Sequence, residues 1–81
     1  MTKLARLILE HLDIVHPYAL PEAGLFSELR QMIRPVATDE QWTDAIYHLL
    51  QKEMIGFQRD KISDEKKYFI KEAGQVALRA A

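Results

Sequence analysis

The stretch from Thr38 to Met54 constrains the fold more than any other part of the chain. Thr38 and Asp39 are residue types that cap the start of a helix, and apolar residues then recur at helical spacing. Burying an indole or a branched aliphatic side chain is worth roughly 1.5–3 kcal/mol, so this helix is predicted to lie against the core. Its predicted inner face is Trp42, Ala45, Ile46, Leu49, Leu50 and Glu53, and its outer face carries Glu40, Asp44, His48 and Gln51.

The length and composition of the chain limit what can surround this helix. Eighty-one residues predict one domain, 1–81, and a chain of this size buries only about 60–65% of its unfolded surface. The sequence has no cysteine, which excludes disulfides, thiolate zinc sites and a cysteine nucleophile. Nothing resembles a signal peptide, and no apolar run approaches the roughly 20 residues of a membrane span. We therefore expect a cytoplasmic protein that does not bind membranes.

A first helix is predicted from Lys3 to Val15. Pro17 ends it, because a proline biases the preceding residue, His16, away from helical dihedrals. Leu9 and Ile14 flank the apolar face and make it wider than one small core requires. We interpret this helix as a central one packed on two sides, and the alternative is a helix that also contributes to a dimer interface. The apolar face itself consists of Leu4, Leu7, Ile8, His11, Leu12 and Val15.

A second helix is predicted from about Glu22 to Arg34, after a short extended connection over residues 16–21. Either Tyr18 or Leu20 would point inward if this connection pairs with a later strand. Pro21 suits the start of the helix and Pro35 stops it. The predicted buried stripe is Leu25, Phe26, Leu29, Met32 and Ile33.

After Met54 the hydrophobic period changes from 3.6 to 2. This change predicts two strands, Ile55–Arg59 and Lys66–Ile70, joined by the polar residues 60–65. Phe57 is predicted to point to the core together with Tyr68 and Ile70, since the opposite set of alternating residues would bury a lysine.

A short alanine-rich helix over residues 71–81 closes the chain. It is too short to be stable alone, so it must dock on other elements, and its small-residue face is predicted to be Ala73, Val76, Ala77 and Ala80. The predicted fold class is therefore mainly α with a small antiparallel β-hairpin, that is, α+β.

Two segments carry a resemblance to a known family. Residues 68–74 (YFIKEAG) are similar to the stretch in MarR-type and PadR-type transcription regulators where the last wing strand runs into a helix, with Lys71 where threonine is usual. Residues 49–57 (LLQKEMIGF) resemble the junction between the third helix and the wing in those families. With this order of elements, the whole chain resembles a winged helix-turn-helix domain: a three-helix core, a wing and a short C-terminal helix.

The resemblance implies a small DNA-binding protein of transcription regulation that acts as a homodimer. The helix 38–54 would lie in the major groove of double-stranded DNA, and the wing 55–70 would touch the backbone or minor groove. The candidate contacts are Arg30, Arg34, Gln41, Thr43, Tyr47, His48, Gln51, Lys52, Arg59, Lys61, Lys66 and Lys67.

The charge distribution favours a second interpretation. The chain has 11 Lys and Arg against 12 Asp and Glu, whereas a nucleic-acid binder is expected to be basic on at least one face. Asp39, Glu40 and Asp44 stand at the leading end of the third helix, where phosphates would repel them. Winged helices also serve as protein–protein interaction modules, in which case this acidic end would face a basic partner or water.

No catalytic, metal or cofactor site is predicted. Asp44 and His48 could reach one metal ion, but two ligands without a third do not form a site, and we interpret them as a surface pair. His11 is interpreted as a core or interface histidine with a backbone partner. Ser27 and Ser63 have no base beside them in sequence, and there is no glycine-rich phosphate loop. We therefore do not expect an enzyme.

Overall fold

The structure is a computed structural model that describes residues 2–33 and 36–80. In this part of the chain, four helices and one three-stranded antiparallel sheet confirm the predicted α+β class. In chain order the elements are α1 (Lys3–Ile14), β1 (Leu20–Pro21), α2 (Glu22–Met32), α3 (Asp39–Gln51), β2 (Ile55–Arg59), β3 (Lys66–Ile70) and α4 (Glu72–Arg79).

The helices begin and end where side chains or backbone turns satisfy their terminal groups. The Thr2 hydroxyl accepts from the backbone N–H of Ala5 at the start of α1. Helix α3 ends at Gln51, short of the predicted Met54, in a Schellman motif. Here the N–H of Glu53 donates to Leu50 O at 3.1 Å and the N–H of Met54 donates to Leu49 O at 3.0 Å.

The predicted C-terminal ends of α1 and α2 also need correction. Helix α1 ends at Ile14, one residue before the predicted Val15. Helix α2 ends at Met32, because Ile33 is extended, with a ψ of 136°. Arg34, the predicted last residue of the second helix, lies outside the described residues.

The sheet has the strand order β1-β3-β2, so β3 is central and the two other strands are its edges. The predicted bounds of β2 and β3 are confirmed. Tyr68 pairs with Leu20 on one side and with Phe57 on the other. Of the two inward candidates in the connection before α2, Leu20 packs against the core and Tyr18 is exposed.

Helix α1 is the central element of the core. It contacts α2, α3, α4 and β3, and Ile8, Leu9 and Leu12 are fully buried. This confirms its interpretation as a helix packed on more than one side, while its role in a dimer interface stays a prediction. The buried residues are Leu4, Ala5, Ile8, Leu9, Leu12, Leu25, Leu29, Ile33, Ala37, Trp42, Ala45, Ile46, Leu49, Ile55, Tyr68 and Ile70.

Several residues predicted to be buried are exposed. Phe57 shares a sheet face with the buried Tyr68, but it lies on the edge strand beyond the covered part of that face and is 53% exposed. Met32 is exposed at the end of α2, where Leu29 and the extended Ile33 are the residues that enter the core. Glu53 is exposed because it follows the end of α3, in the left-handed region with a φ of 56°.

The predicted docking face of α4 is also wrong. Ala73, Val76 and Ala80 are exposed and Ala77 is half-buried, and the buried residue through which the helix docks is Gly74. A Cβ atom at this glycine would lie 2.4 Å from the Met54 carbonyl oxygen and 2.9 Å from Ile70 Cγ1. Because Gly74 has no side chain, α4 can approach Met54 and Ile70 this closely. A pattern of apolar residues cannot reveal such a contact.

Within the described ranges, no helix combines the length and the apolar character needed to cross a membrane.

Candidate functional site

The outer face of α3 is exposed along its length and acidic in its first half. Glu40, Asp44, Tyr47 and Gln51 form one line along the helix, opposite the buried face. The Gln51 side-chain amide donates to the Tyr47 hydroxyl oxygen at 3.1 Å, so these two polar groups partly satisfy each other. The first cation of the helix region is Lys52, which stands at its C-terminal cap. The end that would enter a DNA groove first is therefore negative.

Gln41, one of the predicted base-reading side chains, is used by the helix itself. The Thr38 N–H donates to Gln41 Oε1 at 2.9 Å, and the Gln41 N–H donates to Thr38 Oγ1 at 3.1 Å. This reciprocal pair is a capping box, which satisfies backbone donors at the start of α3. The NH₂ group of Gln41 and the second lone pair of its Oε1 are left to contact a partner.

A groove of about 780 Å³ runs between the first turn of α1, the connection after α2 and one flank of α3. Small residues create it, because Ala5, Ala37 and Ala45 are buried without filling the space between the helices. This volume lies within the range of roughly 300–1,000 Å³ that is typical of ligand sites. The apolar lining is Leu4, Ala5, Ile33, Ala37 and Ala45, and the polar lining is Thr2, Lys3, Gln41, Asp44 and His48.

Arg30 is fixed by aromatic packing at the end of α2. Its guanidinium carbon lies 5.1 Å from the centroid of the Phe26 ring, which is within cation–π range. The Phe26 ring in turn stacks on Trp42 with a centroid distance of 4.5 Å and an interplanar angle of 23°. This stack links the one described cation of the predicted α2 contacts to the inner face of α3.

The loop between β2 and β3 uses two of its acidic residues for its own structure. Asp60 Oδ1 accepts from the Ile62 N–H at 2.9 Å, and this hydrogen bond holds the pKa of Asp60 below its ordinary value. Arg59 Nη1 donates to Asp64 Oδ1 at 3.3 Å. Lys61 and Lys66, in contrast, make no ion pair with any residue in the described ranges.

The predicted DNA contacts do not form one continuous positive surface. They are distributed over the end of α2, the outer face of α3 and the β2–β3 hairpin, and on α3 the exposed residues Asp39, Glu40 and Asp44 intervene. Arg34 lies outside the described residues. The exposed candidates are Arg30, Gln41, Thr43, Tyr47, His48, Gln51, Lys52, Arg59, Lys61 and Lys66, and Lys67 is half-buried.

The side-chain surroundings of His11 differ from the prediction, whereas Asp44 and His48 are both exposed, as expected for surface residues. His11 Nε2 lies 3.5 Å from Glu28 Oε2, so the partner of this half-buried ring is a carboxylate of α2 and not a backbone group. Asp44 and His48 both line the groove beside α3. Among the residues that the structure describes, no three His, Asp or Glu side chains are placed to hold a metal ion.

A partly buried hydrogen bond connects the sheet to the start of α2. The Tyr68 hydroxyl donates to Glu22 Oε2, across 46 positions of sequence. Burial of the phenol, followed by this hydrogen bond, raises the pKa of Tyr68 well above its ordinary value. The pair thus holds the central strand against α2 and is not a reactive group at the surface.

Comparison of the chain with protein-family models, with curated proteins and with solved structures found no match. What the site can do must therefore be inferred from its own geometry. The sequence did not predict that residues outside α3 would line a groove with it. These residues are Thr2, Lys3, Leu4, Ala5, Ile33 and Ala37. Alanines inside apolar segments were the available signal, but their position around one groove depends on how α1 and α3 pack, which is a long-range feature.

Proposed function

We propose that this chain is a winged helix-turn-helix domain that acts as a protein–protein interaction module. The order of its helices, the short strand before α2 and the C-terminal hairpin support the architecture. The docking surface is the groove between α1 and α3 together with the acidic outer face of α3. Its occupant is a basic amphipathic helical segment of a partner protein.

One observation carries this proposal: an apolar groove adjoins an exposed acidic helix face. Ala37 and Ala45 form part of the groove floor, and Asp44 stands on its rim with Glu40 one turn away. An amphipathic helix that lays its apolar face into such a groove presents its polar flanks to the rim. Basic residues on those flanks would meet the carboxylates, and the resulting attraction favours the encounter and fixes the orientation.

A designed peptide pair can test this surface directly. One synthetic peptide carries leucine and alanine at helical spacing with lysine and arginine elsewhere, and its matched control replaces every basic residue with glutamate. We expect the basic peptide to bind at least about tenfold more tightly, as measured by fluorescence anisotropy. NMR shifts of the Ala5, Ala37 and Ala45 amides should locate it in the groove.

A charge-reversal variant sharpens the test. Glu40→Lys with Asp44→Lys should weaken the basic peptide by at least about tenfold, since both side chains are exposed at the proposed surface. The control is Glu65→Lys with Glu72→Lys, which makes the same change of net charge at exposed positions elsewhere. Equal binding of the two peptides, or equal loss in both variants, would show that the attraction is not specific to this face.

DNA binding is the second candidate, and a specific observation favours it. Lys61 and Lys66 extend from the hairpin without ion pairs to described residues, while Asp60 and Asp64 are engaged within the loop. A labelled duplex should then bind with an affinity that falls steeply with salt and is lost in Lys66→Glu with Lys67→Glu. Failure to bind a duplex even at low salt would exclude this candidate.

A further inference from the structure

Among the described residues no strand pairs with the outer edge of β2, and this edge has a defined hydrogen-bonding phase. The Lys71 N–H donates to Met54 O at 2.9 Å, and the Asp60 N–H donates to Glu65 O at 3.0 Å, on either side of the β2–β3 ladder. Hydrogen-bonded pairs alternate along an antiparallel ladder, so Gly56 and Gln58 direct their backbone groups to β3. Ile55, Phe57 and Arg59 therefore direct their N–H and C=O groups away from the sheet.

Apolar side chains flank this edge on both faces of the sheet. Phe57 stands on one face and is 53% exposed. On the other face the Phe69 ring lies across Gly56, where a Cβ atom would be 2.4 Å from Phe69 Cζ. A shallow cavity of about 350 Å³ at this edge is lined by both rings and by Leu50. A strand added here would gain apolar contact as well as backbone hydrogen bonds.

We propose that two copies of this chain pair through β2, antiparallel and centred on Phe57. In this register Phe57 faces Phe57 of the second copy, and Ile55 faces Arg59 of the second copy. These are the residues whose backbone groups point outward, so each pair can exchange both of its hydrogen bonds. The pairing joins the two three-stranded sheets into one and does not depend on the function proposed above.

The charges along the edge favour a second copy over an unrelated extended peptide. Glu53 precedes β2, and Arg59 and Lys61 lie at its other end, all exposed. Glu53 and Lys61 lie in turns just outside the two ends of β2, and the antiparallel arrangement brings Glu53 of each copy to the end that carries Arg59 and Lys61 of the other, so opposite charges meet at both ends of the pair. Arg59 lies opposite Ile55 of the second copy and not opposite the second Arg59, so these two like charges do not face each other. A surface that is complementary to itself in this way is what a two-fold interface requires.

The test combines oligomeric state with amide exchange. We expect sedimentation to detect a dimer whose dissociation constant rises at least about tenfold in Phe57→Lys, since this variant places like charges opposite each other at the two-fold axis. The matched control, Ile62→Lys, changes a side chain in the β2–β3 loop that is 97% exposed and should leave the dimer intact. In the unmodified protein, exchange of the Phe57 and Arg59 amides should slow as concentration rises.

The Gln58 amide provides the internal control, because it donates to β3 and should be protected at every concentration and in both variants. Its protection in Phe57→Lys shows that the variant still folds. A protein that stays monomeric up to millimolar concentration overturns the proposal. A dimer that survives Phe57→Lys, or one in which the Phe57 amide exchanges as in the monomer, overturns it as well.

Discussion

The two faces of α3 differ in what determines them. The inner face is dry and packed, with Trp42 stacked on Phe26 and Leu49 fully buried. The outer face is exposed to solvent. Gln51 donates a hydrogen bond to Tyr47, and the carboxylates of Glu40 and Asp44 make no hydrogen bond to any described residue. Packing therefore accounts for the inner face, and the helix dipole favours Asp39 and Glu40 in the first turn of α3, but neither accounts for Asp44 on the outer face. That difference is the reason to look for a partner there.

The contrast is tested most strongly by truncating one residue on each face. Leu49→Ala leaves a cavity at a fully buried position and should lower the free energy of unfolding by about 2–5 kcal/mol. Tyr47→Ala, two positions away on the exposed side, should change it by less than about 0.5 kcal/mol. Urea denaturation measures both. Similar losses in the two variants would mean that the outer face is also structural.

A pair of helical glycines extends the contrast beyond α3. Gly74→Ala places a Cβ atom against the Met54 carbonyl and Ile70, and this overpacking should cost about 1–3 kcal/mol despite the better helix propensity of alanine. In Gly24→Ala the added Cβ atom meets no described atom within 4 Å outside the backbone of its own helix, and the change should instead stabilise the protein by about 0.5–1 kcal/mol. Thermal unfolding of both variants checks the opposite signs, and two shifts of the same sign would contradict the packing of α4.

A buried and an exposed tyrosine, Tyr68 and Tyr18, should affect stability differently at alkaline pH. Folding raises the pKa of Tyr68, so above pH 10 the unfolded chain releases this proton before the folded one does. The stability that Tyr68 contributes is then present below pH 10 and is lost at up to about 1.4 kcal/mol per pH unit as pH rises. Tyr68→Phe should remove this part of the pH dependence, and Tyr18→Phe, at an exposed position, should not. The free energy of unfolding of each variant, measured between pH 9 and 11, tests this difference, and an equal pH dependence in the two variants would contradict it.

The smallest effect on stability is expected at the N-terminal cap of α3, which belongs to neither face of the helix. Thr38→Ala removes the capping hydroxyl and frees the Gln41 side chain, and it should cost about 1 kcal/mol. Thr43→Ala, at an exposed position inside the helix, should be neutral or slightly stabilising because alanine has the higher propensity. Urea denaturation of both variants gives the difference, and equal losses would contradict the structural role of the cap.

Local patterns in the sequence predict much of this fold. The change of period after Met54 gives the bounds of β2 and β3, and helical spacing identifies Trp42 and Leu49 as core residues. Alternation also assigns Phe57 to the face of Tyr68, but it cannot show that the edge strand carries this residue beyond the covered part of the sheet. The periodicity of a strand predicts to which face of the sheet each side chain points, whereas the burial of that side chain depends on which distant element covers the face.

The candidate site is less predictable than the fold for the same reason. Periodicity predicts that Glu40, Asp44 and Tyr47 are exposed, and the structure agrees. The groove, however, arises where the first turn of α1 meets the flank of α3, and the Tyr68–Glu22 hydrogen bond joins residues 46 positions apart. Such contacts depend on the packing of whole elements, so no local pattern indicates them.

One paired titration tests the central claim that the acidic face of α3 receives a basic protein segment. The unmodified protein and the Glu40→Lys, Asp44→Lys variant are each titrated with the basic amphipathic peptide and with a labelled DNA duplex at low and moderate salt. We predict that the unmodified protein binds the peptide and not the duplex, and that the variant loses the peptide. Salt-sensitive binding of the duplex by the unmodified protein, without binding of the peptide, would contradict the claim.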